Sequence, residues 1–297
     1  MSYLEFYKAY LVSLNKSPHT IKQYCIDIEQ FISYIDKCNL SFENRIDSTV
    51  EHYIVFLSDT YRSVSSFNRK IASLKHFLFF LKSRNVIQEI PTELLIPKKL
   101  VEHNIETLQE EQMKKVINYW LNLYRRSDDE VYKWIALRNF CIVRIISELS
   151  LKPSEVVEMK WSHINDQGIR ITNQKRSRRV KLSIAMLQWL YIYKKAAEDL
   201  LPASSEIDFI WLGIGNKQNE PITIKTIERL FQAISREVGF KVTATMLRYS
   251  TINNEITKKS DANLDELYNE FGYSRKSVLV DRVKRFTKNE SNNIKEK

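Results

Sequence analysis

Glycine is scarce in this 297-residue chain, at 5 residues, and proline is hardly commoner at 6. Few positions can take a positive φ without cost, so long stretches remain available to helix. Cysteine is scarcer still: Cys25, Cys38 and Cys141 are odd in number and far apart. That spacing excludes a disulfide framework and any CxxC or zinc pattern. It suits a reducing compartment, in which the three thiols are expected to pack as small buried hydrophobes. No run approaches 18 apolar residues, so no membrane span is expected. The opening Met1-Ser2-Tyr3-Leu4-Glu5 lacks the basic-then-apolar pattern of a signal peptide, and a cytoplasmic location is expected. Acidic residues are outnumbered, leaving a net charge of +10. A balance of that sign points to a polyanionic partner, either nucleic acid or an anionic membrane surface.

What is present is helical periodicity. Tyr3, Tyr7, Tyr10, Leu11 and Leu14 recur with helical spacing, and Asn15-Lys16 interrupts them. Ser17-Pro18 supplies an N-cap followed by proline at the first helical position. Ile21, Tyr24, Cys25, Ile28, Phe31, Ile32 and Ile35 then form one apolar face. A third helix carries Val50, Tyr53, Ile54 and Leu57, and a fourth, starting near Ser65-Ser66, carries Phe67, Ile71, Leu74, Leu78 and Leu81. Four such stripes can bury one another in a bundle. The proline-bearing, basic stretch from Ile90-Pro91 to Pro97-Lys98-Lys99 reads as an interdomain linker. The expected division is a helical domain over 1–98, a linker over 99–106 and a second domain over 107–297. A capping box from Thr107 to Glu110 is expected to open that second domain.

In the second domain, Trp134 to Leu149 reads as a buried helix, and Pro153 starts a helix through Met159. Gly168-Ile169-Arg170-Ile171-Thr172 and Arg179-Val180-Lys181-Leu182 alternate with period two around a polar turn, which predicts a hairpin. Helices are predicted near 184–198, 222–237, 245–257, 263–270 and 275–287, with a frayed polar tail beyond Thr287.

The order of these elements, with Ser150-Leu151-Lys152-Pro153-Ser154-Glu155-Val156-Val157-Glu158-Met159-Lys160-Trp161, the Arg248 helix and Phe271-Gly272-Tyr273-Ser274, resembles the tyrosine recombinase (phage integrase) family along essentially the whole chain. The first block is similar to the family's Gly-Leu-Arg-x-Ser-Glu-Leu-x-x-Leu-x-Trp pattern. The resemblance implies a mainly α fold: an N-terminal four-helix core-binding (SAM-like) domain, then a tyrosine-recombinase-like catalytic fold with a small β-sheet. It also implies a phosphoryl-transfer site in which arginines hold the scissile phosphate, a hairpin lysine protonates the leaving oxygen and a tyrosine attacks phosphorus.

Carried over residue by residue, that pattern is altered. The first arginine position falls on Lys152, which keeps the charge without the planar fork. The histidine of the His-x-x-Arg pair falls on Thr245, the second arginine is Arg248, and the next histidine or tryptophan position falls on Tyr273. The nucleophile position falls near Arg282, and none of the 15 tyrosines lies beyond Tyr273. Lys175 is the candidate hairpin lysine. On this basis the chain is expected to bind DNA without cutting it and not to be an enzyme. The competing expectation is an active recombinase using Tyr273, Tyr268 or Tyr249.

Four cations stand in the five residues Lys175-Arg176-Ser177-Arg178-Arg179, a turn basic enough to lie along phosphates. Arg69, Lys70, Ser73 and Lys75 match the family's DNA-facing helix. Ser17, His19, Thr20 and Lys22 sit where free backbone N–H groups favour phosphate. The expected DNA-binding set is completed by Lys152, Arg248, Tyr273 and Arg282; no metal site or cofactor is expected. The expected partner is double-stranded DNA, an operator or a recombination-like site, with a homo-oligomer on DNA possible and no membrane. The expected function is sequence-specific transcriptional regulation, as a repressor encoded by a phage or other mobile element, a known fate of the fold in SPbeta-type prophages. The alternative is an active or accessory site-specific recombinase.

Overall fold

The computed structural model describes residues 2–41, 45–100, 105–173, 176–258, 264–273 and 275–295; the side chains of 173, 176, 202, 264–266 and 287–295 lie outside that description. The chain divides into two compact units, Met1–Glu102 and His103–Lys297.

The first unit is built from α1 (Tyr3–Ser13), α2 (Pro18–Lys37), α3 (Ile46–Thr60) and α4 (Val64–Ser83). Ser17 caps α2 by accepting from the Thr20 N–H at 3.1 Å, with Pro18 at the first helical position. Ser63, two residues ahead of the expected start, caps α4 in the same way. Tyr7, Leu11, Ile28, Phe31, Val50, Tyr53, Leu57, Phe67, Leu74 and Phe77 are buried together. Removing these surfaces from water is the main term that stabilises the bundle. In this unit the described left-handed backbone positions fall to asparagine: Asn15, Asn39 and Asn85 lie at φ 51–55°. A short polar side chain tolerates that region best after glycine, which is how this glycine-free bundle ends its helices.

The second unit holds α5 (Glu110–Arg126), α6 (Glu130–Leu149) and α7 (Pro153–Val157). A three-stranded antiparallel sheet follows, in the order β1 (Ile164–Asn165), β2 (Gly168–Asn173), β3 (Arg176–Val180). Then come α8 (Ile184–Leu200), α9 (Ile224–Val238), α10 (Ala244–Lys258), α11 (Leu264–Glu270) and α12 (Lys276–Lys295). Helix α6 is buried over most of its surface, as its continuous apolar run requires, and the core closes around it with Trp211, Tyr193, Ile227 and Phe231. A smaller cluster, Ile252, Leu267, Phe271, Tyr273, Leu279 and Phe286, joins α10, α11 and α12. This cluster sets the position of the turn that follows α11.

Several boundaries differ from expectation. The cap of α5 is Gln109, whose side chain and that of Gln112 form the capping box expected at Thr107 and Glu110. Helix α7 stops at Val157, and α12 continues to Lys295 rather than fraying at Thr287. Of the cysteines only Cys141 is buried; Cys25 is half-buried and Cys38 is exposed. The hairpin strands run further than expected: Ile171 pairs with Arg178, Thr172 with Ser177 and Asn173 with Arg176. Arg176 to Arg179, read as part of a basic turn, are therefore strand residues, and alternation sends Arg178 to the same side as buried Val180.

One glycine is indispensable to this sheet. Gly168 sits at φ +116°, and a Cβ there would lie 2.2 Å from the carbonyl oxygen of Val180. Gly168→Ala is expected to destabilise the second unit by about 1–3 kcal/mol or more through strain and clash. A urea unfolding midpoint equal to that of the unsubstituted chain would contradict this.

Candidate nucleic-acid interface

Three cations from three elements converge on the end of α11. Arg248, on α10, is 4% exposed. Its Nε donates to the Ser150 carbonyl at 2.7 Å and its Nη2 to the Phe271 carbonyl at 2.9 Å. Lys152, at the cap of α7, donates from Nζ to the Gly272 carbonyl at 2.7 Å. Arg178, on β3, donates from Nε to the Glu270 carbonyl at 3.1 Å. Consecutive carbonyls at 270, 271 and 272 thus each accept a hydrogen bond from a different cation. The last carbonyls of a helix have no partner within it and carry partial negative charge, so cations are stabilising there.

One carboxylate is enclosed with these cations. Arg178 grips Glu155 with both arms of its fork, at 2.7 and 3.1 Å. Glu155 also accepts from the Lys152 backbone N–H at 2.9 Å. Burial alone would raise the Glu155 pKa, but the Arg178 hydrogen bonds and charge outweigh it and hold the carboxyl below its ordinary value. Burial pushes the Lys152 ammonium below the usual lysine value, and the Arg248 and Arg178 charges act in the same direction against the pull of Glu155. Gly272 is required here twice over. Its φ is +64°, and a Cβ would lie 2.3 Å from Arg178 Nη1.

Donors remain after these bonds are made. Arg248 Nη1 has no hydrogen-bond partner among the described residues. Lys152 Nζ uses one of its three protons. Tyr273 is 6% exposed, its hydroxyl has no partner among the described residues, and the Arg248 guanidinium lies 5.2 Å from its ring centroid. Burial raises the Tyr273 pKa, with Arg248 opposing. With three cations against one carboxylate, the cluster carries a net positive charge, and its free donors suit an anion with several oxygens.

Lys175 and the Arg176 side chain lie outside the described residues. Arg179 is exposed and donates to Asn165 Oδ1. Arg282 is half-buried, with its guanidinium 5.4 Å from the Tyr249 ring centroid. Thr245 is exposed one turn before Arg248 on α10. In the first unit His19, Lys22 and Lys75 are exposed, and the hydroxyls of Ser17 and Thr20 lie 2.8 Å apart at the start of α2. Arg69 is partly exposed and bonded to Asp27. Lys70 and Ser73 are buried, not outward: Lys70 Nζ donates to Asp27 at 2.9 Å and the Ser73 hydroxyl donates to it at 2.8 Å. A carboxylate 2% exposed inside the bundle draws these donors inward, because an unpaired buried charge is costly. Among the described residues no cluster of His, Cys, Asp or Glu could hold a metal ion.

Two family models match the chain: the phage integrase N-terminal SAM-like domain over residues 4–85, and the phage integrase family over residues 106–278. The chain belongs to the phage integrase family. A tyrosine recombinase of Agathobacter rectalis is 23% identical over 95% of this chain and 94% of its own length. The tyrosine recombinase XerC of Chlamydia caviae is 23% identical over 77% of this chain and 76% of its own. The fold is also that of the XerH site-specific recombinase in a post-cleavage complex with a palindromic difH substrate (TM-score 0.71, 16% identity, 95% of this chain and 80% of that one). The expectation that the chain is not an enzyme, built on the lack of a tyrosine beyond Tyr273, is corrected by these relatives. They are named as recombinases along most of both sequences.

The pH dependence of this cluster follows from Glu155. A carboxyl held below its ordinary value contributes stability that is present above the unfolded value and is lost as pH falls through the folded one. Glu155→Gln is expected to cost up to about 3 kcal/mol at pH 7 by leaving the half-buried Arg178 without its counter-charge. It is also expected to flatten the loss of stability on acidification. Parallel urea titrations at pH 7 and below pH 4 test this, and an unchanged acid limb would contradict it.

Proposed function

We propose that the chain binds a specific site on duplex DNA and acts there as a site-specific recombinase. The observation that carries this reading is the cation cluster at the end of α11, with Arg248 Nη1 and two Lys152 protons still free to receive a phosphate. In phosphoryl transfer such donors neutralise the non-bridging oxygens and hold phosphorus for in-line attack. The net charge of +10 supports a polyanionic partner. Family membership and a fold shared with a recombinase bound to its DNA substrate point the same way. The tyrosine rings flanking Arg248 are those of Tyr273 and Tyr249, at 5.2 and 5.7 Å from its guanidinium carbon. They are the first hydroxyls to test as the group that attacks phosphorus, with Tyr268 the third. The chain would work in the cytoplasm, on the nucleoid, and as more than one copy on its site.

A second reading concerns what occupancy does. A protein holding a specific duplex excludes other proteins from it, and so would regulate nearby genes, as a repressor on a phage or other mobile element. The preformed state of the grip favours this reading. Arg248 and Arg178 are already braced by carbonyls and a carboxylate, so tight occupancy needs little ordering on binding.

Two measurements test the proposal. Duplex affinity should fall about 10³-fold or more between 50 and 200 mM salt, as several phosphate contacts require; a flat dependence would contradict DNA binding. A nicked duplex that traps cleavage should yield a covalent protein–DNA adduct, lost in one of Tyr273→Phe, Tyr249→Phe or Tyr268→Phe. Binding without an adduct would leave occupancy as the function and remove strand exchange.

A further inference from the structure

We infer that Arg178, from the sheet, is the second guanidinium of the phosphate site, partnering Arg248 where α7 offers only the ammonium of Lys152. This rests on the DNA-binding reading above. A phosphate is best gripped by planar forks, whereas an ammonium acts as a point charge. Arg248 supplies one fork. The other fork within the cluster is that of Arg178, and the two are brought together by one turn. Arg248 donates to Phe271, and Arg178 Nη1 packs against the α-carbon of Gly272, the next residue.

The orientation of Arg178 is fixed from three directions. The Glu155 carboxylate accepts one hydrogen bond from each of Nη1 and Nη2, and the Glu270 carbonyl accepts one from Nε. A guanidinium has five N–H groups, so one on each terminal nitrogen remains. The side chain is 14% exposed, against 2% for Glu155, so the carboxylate lies on the buried side of the pair. Glu155 therefore behaves as a brace that aims the fork and prevents its collapse, at the cost of cancelling one charge. Had Arg178 been only the counter-ion of a buried acid, neither its Nε bond to the α11 end nor its close approach to Gly272 would be needed. Both place the fork beside Arg248.

The test uses the full chain and a 30-base-pair duplex of random sequence, with affinity followed against salt. The paired variant Glu155→Gln with Arg178→Gln removes one charge of each sign, so the net charge is unchanged and polar partners remain. If Arg178 touches phosphate, affinity drops about ten-fold and the log–log salt slope falls by about one. If the pair is only structural, affinity and slope stay those of the unsubstituted chain, and the inference is overturned. An unsubstituted chain that shows no salt-dependent binding would instead overturn the DNA-binding reading itself. A measurement without any variant covers the case in which the paired change fails to fold. Phenylglyoxal labelling read by mass spectrometry should show Arg178 and Arg248 protected together on adding the duplex. Protection of Arg248 with Arg178 unchanged would rule Arg178 out.

Discussion

The carbonyl end of α11 organises the second unit's site. Residues 270, 271 and 272 are the acceptors on which α7, β3 and α10 each place one cation. A charge-assisted hydrogen bond of this kind contributes about 1.5–3 kcal/mol, so the three together fix the relative position of those elements to an extent that apolar packing alone would not. The α10–α11–α12 cluster holds the turn from behind, through Phe271, Tyr273 and Leu279. The site is thus built on a backbone feature rather than on a single side chain. Gly272 is the residue that lets Arg178 approach it.

This arrangement accounts for how a cluster of positive charge is tolerated in a half-buried place. Each cation gives part of its hydrogen-bonding capacity to carbonyls, and Glu155 offsets one charge. What remains is a small number of donors with fixed directions. Fixed donors lose little freedom when an anion arrives, which is the property a phosphate site needs for both binding and transfer. The first unit shows the same device in a structural role: Asp27 absorbs Lys70, Ser73 and part of Arg69, leaving Lys22 and Lys75 outward.

Much of the fold was legible in the sequence because its signals are local. Ser17-Pro18 caps α2 as it reads, and the apolar run to Leu149 is the buried α6. The family pattern located Lys152, Arg248 and Tyr273, which the structure brings together around one turn. The sites that were misread depend on partners remote in sequence. Arg178 sits in a run of cations that resembles a solvated turn, yet its period-two relation to Val180 sends it inward to Glu155, 23 residues away. Lys70 and Ser73 share the helical face of Phe67, Leu74 and Phe77, a signal present in the spacing, but the reason for their burial is Asp27 on another helix. The carbonyls that receive the cations have no sequence signature at all. The expectation of an inactive chain rested on counting side chains against a pattern, whereas relatives matched along most of its length are named recombinases.

The most direct test of this account is the structure of the chain bound to a duplex selected from a random pool. A backbone phosphate oxygen is expected within about 3 Å of Arg248 Nη1, hydrogen-bond distance for a charged donor. A duplex bound elsewhere, with Arg248 out of reach of any phosphate, would contradict it.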